Sequence, residues 1–415
     1  MNELTITALI LVAAMVLFIW NKWPAAIVAL ASALALFFTG VLTMRETVEG
    51  FGDPLVVFIA ALLAIGAALE ATGVGTWAGQ QLIRHAGTNK TRLLIALMVL
   101  SALFTALIGM NGAVVTVLPI ALAIAARTGI APSKFMMPVS IACLTSANLT
   151  LLGTPVNVIA LDYGEAAGAG HIGFFEWSFV GIPLFVGAAI IVVIFERYLL
   201  PNRSSTAVAA DPSEQAVSLS HASFRAIGIL LALIVLLTLN VMPPAIAALL
   251  CAGAMVVFGV LPLNELYRRI DWNTCILIAA LIPLATAMTK TGLAGLIGDQ
   301  VIHLVGSGGP RAVLAGLFLV TATLTQVISN ASSALVMVPI AVATAGELAI
   351  SPWPLLIAVT LGAGAAHLTP ISTPVNLVTY GPGGYEFRDY WKIGLLIVIW
   401  AFLVAVFVAP LHWKF

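Results

Sequence analysis

Two proline-containing segments interrupt long apolar stretches, and their residue types suit ion binding. Residues 144–157 and residues 363–376 each include a Thr-Pro-Val-Asn block, which begins at Thr154 in the first segment and at Thr373 in the second. Proline lacks the backbone donor that a helix needs and clashes with the preceding turn, so we expect both helices to open there. Freed carbonyl groups suit a small hard cation such as Na⁺, and the N-termini of the following helices suit an anion.

Two further polar clusters lie in the middle of uncharged runs. Asn111 lies within residues 93–126, and Asn330 lies within residues 312–346. A single helix over either run would be about 50 Å long, whereas a bilayer core is about 30 Å thick and two full crossings need about 40 residues. The sequence therefore predicts a re-entrant hairpin in each run, with its tip at the polar cluster.

The asparagine pair belongs to an internal repeat that spans the whole chain. Asn111 and Asn330 are 219 residues apart, and the same offset relates Pro24 to Pro243 and the first Thr-Pro-Val-Asn block to the second. Such duplication is common in secondary transporters. The predicted divisions are a first repeat over 1–201, a polar linker over 202–223 and a second repeat over 224–415, with broken helices at about 135–163 and 353–380.

The composition excludes a water-soluble fold, because 61% of the 415 residues are hydrophobic and only 8% are charged, whereas soluble domains carry about a quarter. We expect an all-α integral protein of the plasma (inner) membrane that contacts the lipid bilayer on most sides.

The formal net charge of zero argues against a nucleic-acid partner. An intramembrane protease needs two aspartates that share a proton, and a channel needs a continuous pore, so both are disfavoured.

The distribution of basic residues predicts the topology. If each hairpin returns to its own side, only four of the 17 Lys and Arg residues lie on the minority face, and these are Arg45, Lys290, Arg311 and Lys414. The positive-inside rule then places both termini outside and the 202–223 linker in the cytoplasm. Each half would have five transmembrane helices and one hairpin. Because five is odd, the halves form an inverted repeat, with the broken helices at the bilayer midplane.

At these residues the sequence resembles the divalent anion:sodium symporter family, which includes dicarboxylate and sulfate transporters. The matching residues are Asn111, Ser329 and Asn330, the stretches Gly153–Asn157 and Ser372–Asn376, and the stretch from Tyr380 to Gly394, which is similar to the sulfate branch. The resemblance implies a homodimer in which a transport domain moves like an elevator against a scaffold domain. It also implies a sodium site at each hairpin tip, against the facing broken helix.

The resemblance assigns candidate residues to each ligand. The candidate substrate-binding residues are Asn111, Gly112, Thr154, Pro155, Asn330, Ala331, Thr373 and Pro374. The candidate sodium-binding residues are Asn111, Gly153, Thr325, Ser329, Asn330 and Ser372. Residues of secondary interest are Asn157, Asn376 and His367, of which His367 is either a structural histidine or a proton relay.

Departures from the family pattern leave the substrate open. The family motif at each tip is Ser-Asn-Thr, but Gly112 and Ala331 replace the two threonines, which weakens a dicarboxylate assignment and leaves a sulfate-like oxyanion equally possible. The first sodium site also offers fewer hydroxyl groups than the second, because Ala106 and Met110 stand there. The alternative function is a proton-coupled or exporting permease of the same superfamily, for citrate or arsenite.

Overall fold

Helices make up nearly all the regular structure in the described part of the chain, and no strand occurs there. The computed structural model describes residues 2–20, 22–74, 77–78, 80–81, 89–203, 219–239, 241–305 and 308–415, so most of the linker predicted at 202–223 lies outside the described residues. In the first half the helices are α1 (Glu3–Trp20), α2 (Ala25–Phe38), α3 (Met44–Val48), α4 (Pro54–Ala71), α5 (Lys90–Thr128), α6 (Ser133–Thr145), α7 (Pro155–Ala166) and α8 (Ser178–Leu199). In the second half they are α9 (His221–Thr238), α10 (Pro244–Val257), α11 (Leu263–Arg269), α12 (Trp272–Lys290), α13 (Leu293–Val305), α14 (Pro310–Leu324), α15 (Asn330–Glu347), α16 (Trp353–Gly364), α17 (Pro374–Gly383), α18 (Phe387–Leu403) and α19 (Ala409–His412).

Seven helical stretches among the described residues are long and apolar enough to cross a membrane. They are α1, the stretch from α3 to α4, α5, α8, α9, α12 and the stretch from α18 to α19. The all-α membrane fold expected from the composition is thereby confirmed. The helices α2 and α10 have 14 residues each, which is about 21 Å and shorter than a bilayer core. Five crossings in each half therefore stay a prediction.

The exposed faces of the outer helices are apolar, and the central helices are buried on all sides. Along α1, the side chains of Leu9, Val12 and Val16 are more than half exposed, as expected for a surface that meets acyl chains. By contrast, every residue of α6 is buried, and so is every residue of α16 except the last. The segments that carry the polar breaks therefore lie at the centre of the molecule.

Each long uncharged run is interrupted near its middle. In α5 the helix is broken at Gly109, whose φ of 79° and ψ of 161° belong to a region that only glycine adopts readily. In the second half, α14 ends at Leu324 and α15 begins at Asn330. We call residues 108–112 the first bend and residues 325–330 the second bend.

Both broken helices are present where the proline blocks predicted them. Residues 146–154 separate α6 from α7 in the first break, and residues 365–373 separate α16 from α17 in the second. Thr154 and Thr373 have the same extended backbone, with φ of −153° at both. Each extended threonine precedes a proline that begins the next helix, a position at which proline costs no hydrogen bond.

The two halves pack on each other reciprocally. Helix α2 packs on α12, and their counterparts α10 and α4 also pack together. In the same way α17 packs on α5, while its counterpart α7 packs on α15. Contacts that exchange the halves in this way are those that a pseudo-twofold axis generates. As a result, each bend lies in the same group of helices as both breaks.

Candidate functional site

The side chain of Asn157 braces the first break. Its Nδ2 donates hydrogen bonds to the carbonyl oxygens of Ala147 and Thr150, both at 3.0 Å. Asn157 is fully buried, so these bonds satisfy two carbonyls that the broken helix leaves without helical partners. The asparagine of the first Thr-Pro-Val-Asn block therefore holds the shape of the break.

Asn376 braces the second break in the same way. Its Nδ2 donates to the carbonyl oxygens of Ala366 at 2.8 Å and Thr369 at 3.0 Å, which are the repeat equivalents of the first pair. Its Oδ1 accepts a bond of 2.5 Å from Ser140 of α6. Ser372, which was a candidate sodium ligand, directs its hydroxyl at the same two carbonyls and lies inside the break.

The first break packs against carbonyl and glycine backbone at and just before the first bend. Thr150 donates from Oγ1 to the carbonyl oxygen of Ala106, at 2.7 Å. A side chain added at Gly109 would lie 3.4 Å from the carbonyl oxygen of Leu152. At Gly153 there is no room for any side chain, because a Cβ atom would lie 2.1 Å from the carbonyl oxygen of Ala147. Only glycine fits at that candidate sodium position.

Three oxygen atoms converge where the second bend meets the end of α16. The Oγ1 of Thr325 lies 2.8 Å from the carbonyl oxygen of Ala363 and 3.1 Å from Oδ1 of Asn330. All three residues are buried. A hydroxyl has a single proton and can donate to only one of these two acceptors at a time. Such a group of oxygens suits a small hard cation, which would contact all three at once.

Gln326 connects the second bend to the second break. Its Nε2 donates to the carbonyl oxygen of Ala365 at 2.8 Å, and its Oε1 accepts from the backbone amide of Leu368 at 2.9 Å. Thr369 returns a bond of 2.9 Å to the carbonyl oxygen of Gln326. The repeat equivalent of Gln326 is Leu107, which has no polar side chain. The second bend is therefore tied to its break more firmly than the first.

Ser329, a second candidate sodium ligand, faces away from the oxygen cluster. Its Oγ lies 2.8 Å from Oγ of Ser332 and accepts a bond of 3.2 Å from the Ser332 amide. These bonds make Ser329 the N-cap of α15. Of the predicted sodium ligands at the second site, Thr325 and Asn330 are brought together, while Ser329 and Ser372 make local bonds.

Buried polar atoms without a partner concentrate at the bends and breaks. Eight such side-chain atoms occur in the described part of the chain. Six of them lie on or beside the bends and breaks, and these are Thr105 Oγ1, Asn111 Oδ1, Asn148 Oδ1, Asn157 Oδ1, Ser333 Oγ and Thr373 Oγ1. Native structures contain few unsatisfied buried polar groups, so a cluster of them indicates a place where water, an ion or a ligand can supply the missing bonds.

A cavity of about 60 Å³ opens beside the first bend and the first break. Its polar lining comes from Asn111, Thr154 and Thr274, together with the backbone of Gly109, Gly112, Gly153 and Pro155. The opposite wall consists of apolar side chains of α4 and α9, which include Ile59, Leu62, Leu63, Leu230 and Leu233. The predicted substrate residues of the first half thus surround one cavity between the bend and neighbouring helices.

His367 lies inside the second break and is 4% exposed. Its backbone amide donates to the carbonyl oxygen of Ala365, and no side-chain hydrogen bond of its ring occurs among the described residues. Its repeat equivalent, Asn148, is also buried and has an unpaired Oδ1. Sequence reasoning missed Asn148 and Ser333, whereas it interpreted Gln326 as support for the second tip or as a partner of backbone groups there. The available signal for each was a polar residue in an otherwise apolar run.

The sequence of this chain is similar to those of known membrane transporters. A family model described as citrate transporter matches residues 15–362. The transporter YfbS of Escherichia coli (strain K12) is 24% identical in an alignment that covers 100% of both chains. The sodium-dependent dicarboxylate transporter SdcS of Staphylococcus saprophyticus is 22% identical over 97% of this chain and 86% of SdcS.

Other relatives match over shorter regions. Sodium/sulfate cotransporter 1 of Chlamydomonas reinhardtii is 30% identical over 39% of this chain, an alignment that covers only 18% of the cotransporter. Several relatives are thus matched over less than two thirds of their own length. The crystal structure of the YdaH transporter of Alcanivorax borkumensis has a TM-score of 0.64 and 16% identity, with 96% of this chain and 98% of that chain covered. That likeness concerns the fold.

Proposed function

This chain belongs to the citrate transporter family, and we propose that it is a secondary active transporter that couples Na⁺ to the symport of a small divalent anion. The relatives described above are named as transporters, and those with named ions are sodium/sulfate and sodium-dependent dicarboxylate transporters. A compact oxyanion such as sulfate is the first candidate substrate. A C4-dicarboxylate is the second.

The lack of fixed charge at the bends and breaks carries the proposal. Residues 105–112, 146–157, 325–333 and 365–376 contain no Lys, Arg, Asp or Glu. A divalent anion in that environment is stabilised only by helix N-termini and by amide and hydroxyl donors, and buried charge without a partner is costly. Co-bound cations supply the neutralising charge, so the anion and the cation bind better together than apart. His367 is the only titratable side chain in these four segments.

The proposed cation site at the second bend consists of Thr325, Asn330 and the carbonyl of Ala363. The buried Thr325 hydroxyl lies about 3 Å from each of the other two oxygens, and Na⁺ prefers oxygen ligands. At the first bend, Asn111 and carbonyl groups near Gly153 offer fewer ligands because Ala106 replaces the threonine. We expect weaker Na⁺ binding there.

The proposed anion site uses the N-termini of helices that begin at the bends and breaks. Ser333 lies in the first turn of α15, and Thr373 precedes α17; both hydroxyls are buried and unpaired. Asn111 and Thr154 line the cavity beside the first bend. That cavity has room for a few water molecules, which favours a compact anion over citrate.

The transport cycle that we propose follows from the repeat. Two inverted halves, each with five crossings and a re-entrant hairpin, would carry the site across the plasma membrane in an elevator motion of the transport domain. The protein would act as a homodimer, with both termini outside and the linker in the cytoplasm. Reciprocal packing of the halves supports the pseudo-twofold relation on which this arrangement depends.

Uptake into proteoliposomes tests the proposed function. Purified protein would be reconstituted, and uptake of labelled sulfate, succinate and citrate would be measured with an imposed Na⁺ gradient, an imposed H⁺ gradient, or neither. We expect a Na⁺ gradient to drive accumulation of sulfate or succinate. Uptake that follows the H⁺ gradient, and proceeds fully without Na⁺, would instead support the proton-coupled alternative and give His367 a direct role.

A further inference from the structure

A basic recess of about 430 Å³ lies at the ends of α5, α6 and α8, away from the bends and breaks. It is lined by Lys90, Gly129, Ile130, Ala131, Lys134, Arg197 and Asn202. Lys134 is 12 residues before the start of the first break, or about 18 Å along α6. The recess is therefore separate from the transport site proposed above.

The basic side chains at the recess outnumber the acidic ones. Nζ of Lys90 lies 2.7 Å from Oε1 of Glu196, and Nζ of Lys134 lies 3.9 Å from Oε2 of the same carboxylate. Arg197 also lines the recess, is exposed, and has no ion pair within the part of the chain that the structure describes. Three cations thus share one carboxylate, which leaves a net charge of about +2 for an anion to neutralise.

The position of one lysine is fixed by the backbone of α8. Lys134 has a side chain that is only 9% exposed. Its Nζ donates to the carbonyl oxygen of Leu200 at 2.7 Å and to that of Glu196 at 3.0 Å. These carbonyls end α8, where a cation is also favoured by the helix dipole. One of the three cations of the recess is therefore held in a fixed position by the fold.

An apolar stripe leads along α8 to the recess. Ile182, Val186, Ile190 and Ile194 are 53%, 47%, 53% and 57% exposed, and their spacing of four residues places them on one face of the helix. In a membrane protein such a face meets acyl chains. One turn after Ile194 the helix reaches Arg197, where the recess begins.

We propose that this recess binds the phosphate headgroup of an anionic phospholipid, whose acyl chain lies along the exposed stripe of α8. Basic pockets beside membrane helices favour anionic headgroups, because each nearby Lys or Arg adds electrostatic attraction. The continuity of the charged recess with an apolar stripe selects a lipid over a free phosphate ion. The proposal rests only on the location of this protein in a lipid bilayer. It does not depend on which ion is coupled or which anion is transported.

Lipid binding to the detergent-purified protein tests the proposal. Native mass spectrometry would compare dioleoyl-phosphatidylglycerol with dioleoyl-phosphatidylcholine for the wild type and for Arg197→Gln, Lys90→Gln and Arg268→Gln. Arg268 is the matched control, because it is exposed on α11 and does not line the recess. We expect phosphatidylglycerol to bind more tightly than phosphatidylcholine, and each recess variant to weaken it about fivefold, with no effect of Arg268→Gln.

Three outcomes would overturn the proposal. Equal affinities of Arg197→Gln and Arg268→Gln for phosphatidylglycerol would show that the recess is not the site. Equal binding of phosphatidylcholine would exclude recognition of the anionic headgroup, and full displacement of the lipid by inorganic phosphate would indicate a site for the soluble ion. Thermal unfolding of each variant in detergent without lipid verifies that a change in affinity does not come from misfolding.

Discussion

Asn157 and Asn376 occupy equivalent positions after the two breaks, and each amide group holds the same pair of carbonyl positions. Their side-chain oxygens differ. The oxygen of Asn376 accepts a bond from Ser140, whereas the equivalent of Ser140 in the second half is Val359, and the oxygen of Asn157 has no partner. A single replacement of serine by valine therefore leaves the first break with an unpaired acceptor, whereas the equivalent acceptor of the second break is satisfied.

This difference predicts unequal losses of stability. Asn376→Ala leaves the Ser140 hydroxyl without its partner and leaves two carbonyls with only the single proton of the Ser372 hydroxyl between them, and we expect it to destabilise the protein by about 3 kcal/mol. Asn157→Ala removes only the two carbonyl bonds, so about 2 kcal/mol is expected. The measurement is thermal unfolding in detergent for both variants. A larger loss for Asn157→Ala would contradict the assigned hydrogen bonds.

Thr325 is the residue whose change should act most directly on the coupling ion. Thr325→Ala removes one of three converging oxygens, so we expect the Na⁺ concentration for half-maximal uptake to rise several-fold, since a loss of about 1.4 kcal/mol is tenfold in affinity. Thr323→Ala is the matched control, because Thr323 is exposed in the last turn of α14, two residues before Thr325, and donates only to the carbonyl of Leu319. Unchanged Na⁺ dependence in Thr325→Ala would count against the proposed cation site.

Some residue roles followed from the sequence and others did not. The family resemblance implied that Thr325 and Asn330 share a sodium site, and Oγ1 of Thr325 lies 3.1 Å from Oδ1 of Asn330. Ser329 instead bonds Ser332 as a helix cap, since serine hydroxyls readily satisfy nearby backbone groups. The bonds of Gln326 to Ala365 and Leu368 depend on tertiary packing, which a local pattern does not contain.

At the scale of elements, the two breaks were predictable and the exact extent of the bends was not. Proline at Pro155 and Pro374 begins a new helix in both halves, so the broken helices follow from the backbone chemistry of one residue. The second bend covers residues 325–330, whereas the predicted tip covered residues 329–332, because Ser329 caps the helix that begins at Asn330. The first and last residues of a bend depend on how the neighbouring helices are capped, which sequence spacing alone does not predict.

Gly109 permits the first bend, which gives a prediction about that element. Its backbone lies in a region that costs other residues about 1–3 kcal/mol. We therefore expect Gly109→Ala to lower the unfolding temperature and to reduce uptake. Gly253→Ala serves as control, since it lies inside α10 with no atom within 4 Å of the added methyl group, and it should stabilise slightly. Equal stability of Gly109→Ala and wild type would show that the bend is not held by this glycine.

At the scale of the whole molecule, the repeat predicted which helix of the first half corresponds to which helix of the second. In the structure, a helix of one half packs on a helix of the other half, and their two counterparts also pack together. The pairs α2 with α12 and α10 with α4 are one example. The offset of 219 residues indicated the correspondence, but a sequence offset does not specify which helices touch. That information depends on long-range packing of small and apolar side chains over both halves.

The inverted orientation that we propose for the halves predicts labelling from opposite sides. Ala167→Cys lies in an exposed loop after α7, and His221→Cys lies at the exposed start of α9. With an impermeant thiol reagent on intact cells, we expect Ala167→Cys to react from outside and His221→Cys only after the membrane is opened. The wild-type cysteines at positions 143, 251 and 275 are buried and provide the background control. Labelling of both variants from the same side would contradict an inverted repeat.

The central claim is that an uncharged site binds a divalent anion only together with Na⁺, and equilibrium binding tests it most directly. Titration calorimetry on the purified protein would measure sulfate and succinate affinity in sodium chloride and in choline chloride at the same ionic strength. The account predicts tight binding of one of these anions in Na⁺, weak binding in choline, and a reciprocal increase in Na⁺ affinity when the anion is present. Equal anion affinity in the two salts would contradict it.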